Sequence, residues 1–284
     1  MVSEAGEPGQ VHPVIHHRAG VCGKPIAHSL SPVLHGTAYQ ALGLTDWSYD
    51  RAEVDEDSFL PHVASLDESW RGLSLTMPLK EVAFQACAQV SDLARVVGAI
   101  NTLVRSAADG SWAGDNTDVH GIVAALSEAS VGRGGRAVVV GGGATARSAL
   151  AALAEIGVIE AVLLVRREIR DETQAVAQQL GISVQAAPLT ALADAVDVVI
   201  GTVPPAAYPA DFQLAPGEGG VVLDCVYGGG PSPLLAAAVL AGYAAVPGTE
   251  MLLHQAAAQV RLMTGHEPPV AEMRAALQAA LPGQ

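Results

Sequence analysis

The stretch that decides the fold runs through the middle of the chain as Ala137-Val138-Val139-Val140-Gly141-Gly142-Gly143-Ala144-Thr145-Ala146-Arg147. A strand, a G-x-G-x-x-A turn and a helix in this order are typical of a dinucleotide-binding unit. Gly141 permits the tight turn, Gly143 lets the backbone approach a pyrophosphate, and Ala146 permits close packing of the helix on the sheet. Because N–H groups at a helix start favour phosphate, we expect a dinucleotide to bind at Gly141, Gly142, Gly143, Ala144, Thr145 and Ala146.

Arginines follow the next predicted strand, where an acidic residue is usual in NAD-binding units. The apolar run Ala161-Val162-Leu163-Leu164-Val165 leads into Arg166 and Arg167, and Arg170 follows. A carboxylate at this point accepts the ribose hydroxyl of NAD, whereas a guanidinium group pairs with a 2′-phosphate. The three arginines therefore predict NADP, as NADPH, with NAD as the less favoured cofactor.

Strands and helices alternate on both sides of the glycine turn, which predicts the α/β class. Upstream, the pattern predicts a largely parallel sheet, with strands at 15–23, 47–52 and 72–76, helices at 31–42, 56–67 and 81–97, and a hairpin over 98–115. A helix over 118–127 then leads to the glycine turn. Downstream, we expect strands at 197–202, 220–224 and 244–247, followed by helices at 249–264 and 270–281.

The charge and the apolar content argue against several classes of protein. The net charge is −14 without runs of like charge, whereas nucleic-acid binding needs clustered Lys and Arg, so no nucleic-acid partner is expected. No apolar stretch reaches the roughly 18 residues of a membrane helix, and the acidic N-terminus does not resemble a signal peptide. We therefore expect no membrane association and a cytoplasmic location.

Metal binding and disulfide bonding are not expected either. The three cysteines are far apart in sequence and lack CxxC spacing. His12, His16 and His17 lie in or beside a predicted mobile tail over 1–13, and they lack a nearby cysteine or carboxylate that would complete a metal site.

Polar side chains interrupt apolar structure at the ends of predicted elements, where ligands bind in open α/β sheets. The chain contains only two lysines, Lys24 and Lys80. Ser31 and Asp118 also suit the first positions of helices, so the pattern leaves helix capping and ligand binding open for both. The interrupting residues are Ser29, Ser31, Thr76, Lys80, Asn101 and Asp118.

Five ordered blocks, together with the glycine turn, resemble the motifs of the shikimate dehydrogenase family. The blocks are GKPIAHSLSP at 23–32, LTMPLK at 75–80, GAINTL at 98–103, GDNTD at 114–118 and GTEMLLHQA at 248–256. The resemblance implies an α/β fold with a substrate-binding catalytic domain at 1–117, completed by 249–284. A Rossmann-type domain with a doubly wound parallel sheet would then bind NADP at 118–248.

The resemblance also implies a reaction, the reversible reduction of 3-dehydroshikimate to shikimate by NADPH, on the route to chorismate and the aromatic amino acids. Lys80 and Asp118 would form the catalytic pair, with Gly248 beside the cofactor. Ser29 and Ser31 would bind the substrate carboxylate. Contacts to the substrate carboxylate or ring hydroxyls would come from Thr76, Asn101 and Gln255, and Tyr227 would approach from the cofactor side.

Two departures from the family pattern bear on these expectations. Val165-Arg166-Arg167 stands where members often have Asn-Arg-Thr, and Ser74 stands where many have Asn. A quinate/shikimate or aminoshikimate dehydrogenase that uses NAD or NADP is an alternative, and a non-catalytic NADP-binding regulator on the same fold is another, against which the presence of both Lys80 and Asp118 argues. The residues leave the oligomeric state open between monomer and homodimer.

Overall fold

Two six-stranded sheets organise the chain, and the computed structural model describes residues 15–190, 195–228 and 230–281 of it. The predicted tail at 1–13 and His12 lie outside these residues. The strands of the first sheet are β1 His17–Gly23, β2 Trp47–Glu53, β3 Trp70–Leu75, β4 Gln89–Val90, β5 Thr102–Arg105 and β6 Trp112–Asp115. Those of the second sheet are β7 Arg136–Val140, β8 Glu160–Val165, β9 Ser183–Pro188, β10 Val198–Gly201, β11 Val221–Asp224 and β12 Ala244–Val246.

Helices cover both sheets. The α-helices are α1 Ser31–Ala41, α2 Glu56–Ser65, α3 Asp92–Val97, α4 Asp118–Glu128, α5 Ala144–Glu155, α6 Asp171–Gln179, α7 Pro233–Leu240, α8 Gly248–Thr264 and α9 Val270–Ala280. Short 3₁₀ turns occur at Val82–Ala86 and Pro205–Ala207. The predicted α/β class is confirmed. Four elements, β4, α6, β9 and α7, were not among the predicted ones.

The second sheet is the predicted doubly wound parallel sheet. Its strands lie in the order β12-β11-β10-β7-β8-β9, and every pairing is parallel. Val138 and Val140 pack into one apolar cluster while Val139 packs into another, so both faces of the sheet are buried, as parallel sheets require. The strand order reverses between β7 and β10, and the glycine turn lies at this switch point, where such sheets bind ligands.

The first sheet is mixed, which corrects the prediction of a largely parallel one. Its order is β2-β1-β3-β5-β6-β4, with β1 parallel to β2 and β3, and β4 parallel to β6. However, β5 is antiparallel to both of its neighbours. The predicted hairpin accounts for the antiparallel pairing of β5 with β6, because a tight connection reverses the chain and a parallel pairing needs a longer crossover.

The prediction of a helix over 81–97 is wrong. The chain forms the 3₁₀ turn Val82–Ala86, then β4, and only then the short helix α3. Ser91 explains the late start, because its side chain accepts a hydrogen bond from the Ala94 N–H and so caps α3. Gly98 ends the helix with a left-handed backbone, at φ 66°.

The C-terminal helices return to the first sheet. An apolar cluster joins Leu34 of α1 to Leu253 and Val260 of α8 and to Met273 of α9. On the other side of α8, Gly121 of α4 comes so close to the Met251 carbonyl oxygen that an added Cβ would lie 2.7 Å from it. The helix α8 is therefore held against both α1 and α4, with its middle turns facing the cleft between the sheets.

Candidate functional site

One cavity of about 570 Å³ collects every predicted catalytic and substrate-binding residue. It lies at the carboxyl ends of strands from both sheets. From the first sheet and its helices come Ser29, Ser31, Thr76, Lys80, Asn101, Asp118 and Gln255, and from the side of the second sheet come Thr145 in α5, Tyr227 after β11 and Gly248 at the start of α8. Residues that stand up to 226 positions apart in the chain thus surround a single space.

The centre of this cavity is an ion pair between Lys80 and Asp118. The Lys80 Nζ donates to Asp118 Oδ2 at 2.6 Å, and the two side chains are 14% and 6% exposed. Lys80 ends the turn after β3, whereas Asp118 is the first residue of α4, where the helix dipole favours a carboxylate. The Asp118 side chain does not cap its helix. One N–H of the ammonium group is committed to Asp118, which leaves others to meet a substrate oxygen.

Asn101 holds the other oxygen of the Asp118 carboxylate. Its Nδ2 donates to Asp118 Oδ1 at 2.8 Å and lies 3.4 Å from Gln255 Oε1. The orientation of this amide follows from the Thr117 backbone N–H, which can only donate and which meets Asn101 Oδ1 at 2.7 Å. Asn101 therefore turns its N–H groups toward Asp118.

Two serines and a tyrosine form the wall beside α1. Ser29 and Ser31 are 6% and 4% exposed, and the Ser31 N–H donates to Ser29 Oγ at 3.3 Å. Ser31 is not the N-cap, because the helix begins at Ser31 itself and Leu30 holds the cap position without a side-chain bond. Burial raises the pKa of the Tyr227 phenol, against the lowering effect of hydrogen bonds with Ser29 and the Leu30 backbone, so its hydroxyl keeps its proton.

Gly248 stands where α8 begins and has a steric reason to be glycine. A Cβ added there would lie 2.5 Å from the Asp224 carbonyl oxygen and 2.9 Å from the Cys225 carbonyl carbon. The close approach brings the first turn of α8 against the end of β11. Gln255, two turns farther along α8, then reaches the cavity, and its Nε2 donates to the Leu252 carbonyl at 3.0 Å.

A second cavity of about 670 Å³ lies beside the glycine turn. Gly141 at its wall has φ 121°, and an added Cβ would lie 2.3 Å from Thr202 Oγ1, so this position of the turn requires glycine. Ala144 and Ala146 line neither of the two cavities within the described part of the chain. Ala146 is instead fully buried between helix and sheet, as the packing role requires. The predicted residues that line the second cavity are Gly141, Gly142, Gly143, Arg166, Arg167 and Arg170.

Several residues that line the first cavity were not predicted from the sequence. Thr202 and Cys225 directly follow β10 and β11, so the rule that ligands bind at the carboxyl ends of strands could have indicated them. Gln259 lies one helical turn after Gln255 on the same face of α8, so this spacing could have indicated that it reaches the same cavity. His28 and Ser74 also line the cavity, and the sequence marked Ser74 as a departure from a family pattern without indicating a place in the site.

No helix among residues 15–190, 195–228 and 230–281 combines the length and the apolar character that crossing a bilayer takes.

Three family models match successive parts of the chain. Residues 21–103 match a model described as shikimate dehydrogenase substrate binding domain. Residues 136–228 match one described as NADP oxidoreductase, coenzyme F420-dependent. Residues 248–278 match one described as shikimate 5′-dehydrogenase C-terminal domain.

Whole proteins are similar over nearly the full length. The shikimate dehydrogenase (NADP(+)) of Methylobacterium radiotolerans is 37% identical over 282 residues, which cover 94% of this chain and 98% of that protein. The crystal structure of Mycobacterium tuberculosis shikimate dehydrogenase has a TM-score of 0.83 and 38% identity, with 93% of this chain and 99% of that one covered. The shikimate 5-dehydrogenase of Thermus thermophilus, solved in complex with NADP(H) and shikimate, has a TM-score of 0.80 and 30% identity, with 93% and 100% covered.

Proposed function

The chain belongs to the shikimate dehydrogenase family, and on that premise we propose that it is an NADP-dependent shikimate dehydrogenase, which reversibly reduces 3-dehydroshikimate to shikimate. The observation that carries the proposal is the Lys80–Asp118 pair, 2.6 Å apart in a cavity that both sheets line. The similar protein of Thermus thermophilus was solved with NADP(H) and shikimate, the same two ligands that this proposal requires.

The proton donor of the proposed reaction is Lys80. NADPH, when bound along the glycine turn, supplies the hydride that the carbonyl carbon receives. The Lys80 ammonium donates a hydrogen bond to the carbonyl oxygen and then transfers its proton as negative charge develops there. Asp118 holds the ammonium group in place and stabilises its charge, and Asn101 fixes the carboxylate through its second oxygen.

The remaining cavity residues orient the substrate in this proposal. Ser29, Ser31 and the protonated Tyr227 supply neutral donors for the carboxylate at the start of α1. Thr76, Gln255 and the Asn101 N–H that is not committed to Asp118 bind hydroxyl groups of the ring. A site that hydrogen-bonds several hydroxyls discriminates against analogues that lack them, because its buried polar groups would stay unpaired.

The proposed division of labour follows the two sheets. We assign substrate binding to residues 1–117 together with 249–284, and cofactor binding to 118–248. Support for this division comes from α8, which begins at the cofactor side with Gly248 and carries Gln255 into the substrate wall.

Steady-state kinetics with shikimate and quinate, each with NADP and NAD, test the proposed function. We expect the highest kcat/KM for shikimate with NADP. A higher value for quinate, or for NAD, would replace the proposal with a quinate/shikimate dehydrogenase that uses NAD or NADP. Binding of NADPH without turnover of either polyol would instead indicate a non-catalytic regulator.

The arginines after β8 provide a second prediction, on cofactor preference. Replacing both Arg166 and Arg170 with alanine should raise the KM for NADP by about tenfold or more, because charge-assisted hydrogen bonds to a phosphate contribute roughly 1.5–3 kcal/mol each. The KM for NAD, which lacks the 2′-phosphate, should stay within about twofold of the wild-type value. Arg133→Ala, an exposed arginine before β7, is the matched control. Equal effects on the KM for NADP and for NAD would contradict a 2′-phosphate contact.

A further inference from the structure

Gln259 lies on α8 at the wall of the substrate cavity and is 1% exposed. The side chain reaches from α8 to two elements of the first sheet. Its amide contacts the end of β3 through Ser74 and the start of β5 through Asn101 and Thr102. Gln259 thus lies directly behind the groups that surround the Lys80–Asp118 pair.

The orientation of the Gln259 amide follows from its partners. Its Nε2 lies 3.3 Å from the Asn101 carbonyl oxygen, which can only accept, and 3.0 Å from Thr102 Oγ1. Its Oε1 accepts from Ser74 Oγ at 2.7 Å and from His35 Nε2 at 3.3 Å. Two N–H groups and two lone pairs are all that an amide offers, so Gln259 has no hydrogen bond left for a substrate.

From Gln259 the hydrogen bonds lead in one direction to the ion pair. Thr102 Oγ1 accepts from Gln259 and gives its single proton to Asn101 Oδ1 at 2.8 Å. Asn101 in turn donates through Nδ2 to Asp118 Oδ1 at 2.8 Å. The second oxygen of Asp118 accepts from Lys80 at 2.6 Å. Each hydroxyl or amide donates its hydrogen bond in the direction of the Asp118 carboxylate. If one of these groups exchanged its donor and acceptor roles, it would place donor against donor or acceptor against acceptor at its neighbours.

At the other end of this series of hydrogen bonds, the donor and acceptor roles are also fixed. The Tyr49 hydroxyl donates to Ser74 Oγ at 2.5 Å, which commits the Ser74 proton to Gln259. Burial raises the pKa of the Tyr49 phenol, so it stays a donor. Burial also lowers the pKa of His35 to about 3, which keeps its ring neutral with a hydrogen on Nε2.

We propose that Gln259 is a positioning residue for the proposed reaction, which acts together with the Thr117 backbone N–H to hold Asn101 and, through it, the Asp118 carboxylate in the orientation that accepts the Lys80 ammonium group. The role rests on the proposed function. It requires no direct bond between Gln259 and the substrate, so it predicts an effect on kcat rather than on substrate affinity.

Gln259→Met tests the proposal, since methionine keeps the length of the side chain without its hydrogen bonds. We expect kcat for shikimate oxidation to fall by about fivefold to tenfold. The KM values for shikimate and NADP should stay within about twofold of wild type, because Gln259 is bonded to protein groups alone among the described residues. Thr102→Val removes the next hydrogen bond, from Thr102 to Asn101, and should lower kcat by a similar factor. In the double variant kcat should fall no further than in either single variant.

Val260→Ala is the control for a purely structural effect. Val260 is the next residue of α8, fully buried, with its side chain in the apolar cluster with α1 and α9. The cavity in Val260→Ala should lower the melting temperature and leave kcat unchanged, which separates loss of stability from loss of positioning.

Three results would overturn the inference: an unchanged kcat in Gln259→Met, a rise in the KM for shikimate without a change in kcat, or additive losses in the double variant. If Gln259→Met does not fold, Thr102→Val tests the proposal instead. A wild-type kcat in Thr102→Val would then contradict positioning of Asp118 through these hydrogen bonds. Wild-type protein is measured in parallel. Absence of shikimate turnover there defeats the proposed function and this inference together, whereas normal wild-type turnover with normal variants defeats the inference alone.

Discussion

Lys80→Met should lower kcat for shikimate oxidation by about 10²–10⁴-fold, the range that a positioned proton donor contributes. The variant removes the group that would bond the substrate oxygen and leaves Asp118 without its 2.6 Å partner. NADPH affinity, measured by fluorescence titration, should stay near the wild-type value, because the glycine turn and the arginines after β8 are untouched. Retained turnover in Lys80→Met would remove Lys80 from the chemistry.

The chain contains its own control, because Lys24 is the other lysine. Lys24 is half-exposed and pairs with Asp55 at 3.1 Å, outside the substrate cavity. Lys24→Met should therefore leave kcat within about twofold of wild type, since surface ion pairs contribute little. Lys80→Arg separates charge from proton transfer, because arginine keeps the positive charge and does not give up its proton. We expect it to be nearly as inactive as Lys80→Met.

The cofactor half of the molecule is the part that local sequence predicts best. The glycine turn, the strand before it and the helix after it are contiguous, so their geometry depends on neighbouring residues. The same holds for α8, predicted over 249–264 and observed as Gly248–Thr264. β9 was not predicted because it lies at the edge of its sheet, and only Val184 and Ala187 of Ser183–Pro188 are even partly buried, which is not the alternation of a half-buried strand.

Strand direction and long-range contacts were harder to predict. The predicted hairpin made β5 antiparallel to β6, but the antiparallel pairing of β5 with β3 depends on which strand β5 meets, and no periodicity within β5 records that. The contact between Ser74 and Gln259 joins residues 185 positions apart, so neither residue indicates the other by spacing. Resemblance to a family indicated the groups that face the ligands, whereas the polar contacts behind them required the three-dimensional arrangement.

Arg147→Met should be the most destabilising of the substitutions considered, with a loss of about 2–6 kcal/mol in the free energy of unfolding. Arg147 is 2% exposed and lies on α5, one residue after the glycine turn. Its Nε donates to the Val97 carbonyl at 2.7 Å and its Nη2 to the Gly98 carbonyl at 3.0 Å. Methionine would leave the buried Val97 carbonyl and the partly buried Gly98 carbonyl without this donor, and a buried group without a partner costs about 1–3 kcal/mol.

Glu81 provides the control that separates these carbonyl bonds from an ion pair. Arg147 Nη2 also lies 2.6 Å from Glu81 Oε1, but the Glu81 side chain is 56% exposed. Glu81→Gln should therefore cost less than about 1 kcal/mol, the usual value for an exposed pair. Urea unfolding of the two variants measures the difference. Equal losses in Arg147→Met and Glu81→Gln would show that the ion pair, and not the carbonyl bonds, stabilises this contact.

The position of Arg147 gives the substitution a functional effect as well. Val97 and Gly98 end α3 and lead within a few residues to Asn101, and the Ile100 N–H donates to the Lys80 carbonyl at 2.8 Å. Arg147 therefore connects the start of the cofactor helix to the segment that carries Asn101 and to the turn that carries Lys80. We expect Arg147→Met to lower kcat and to raise the KM for NADP together, at a temperature where the variant is folded. Lys80→Met, in contrast, should lower kcat and leave the KM for NADP near the wild-type value, so the two variants distinguish loss of alignment between cofactor and proton donor from loss of the donor itself.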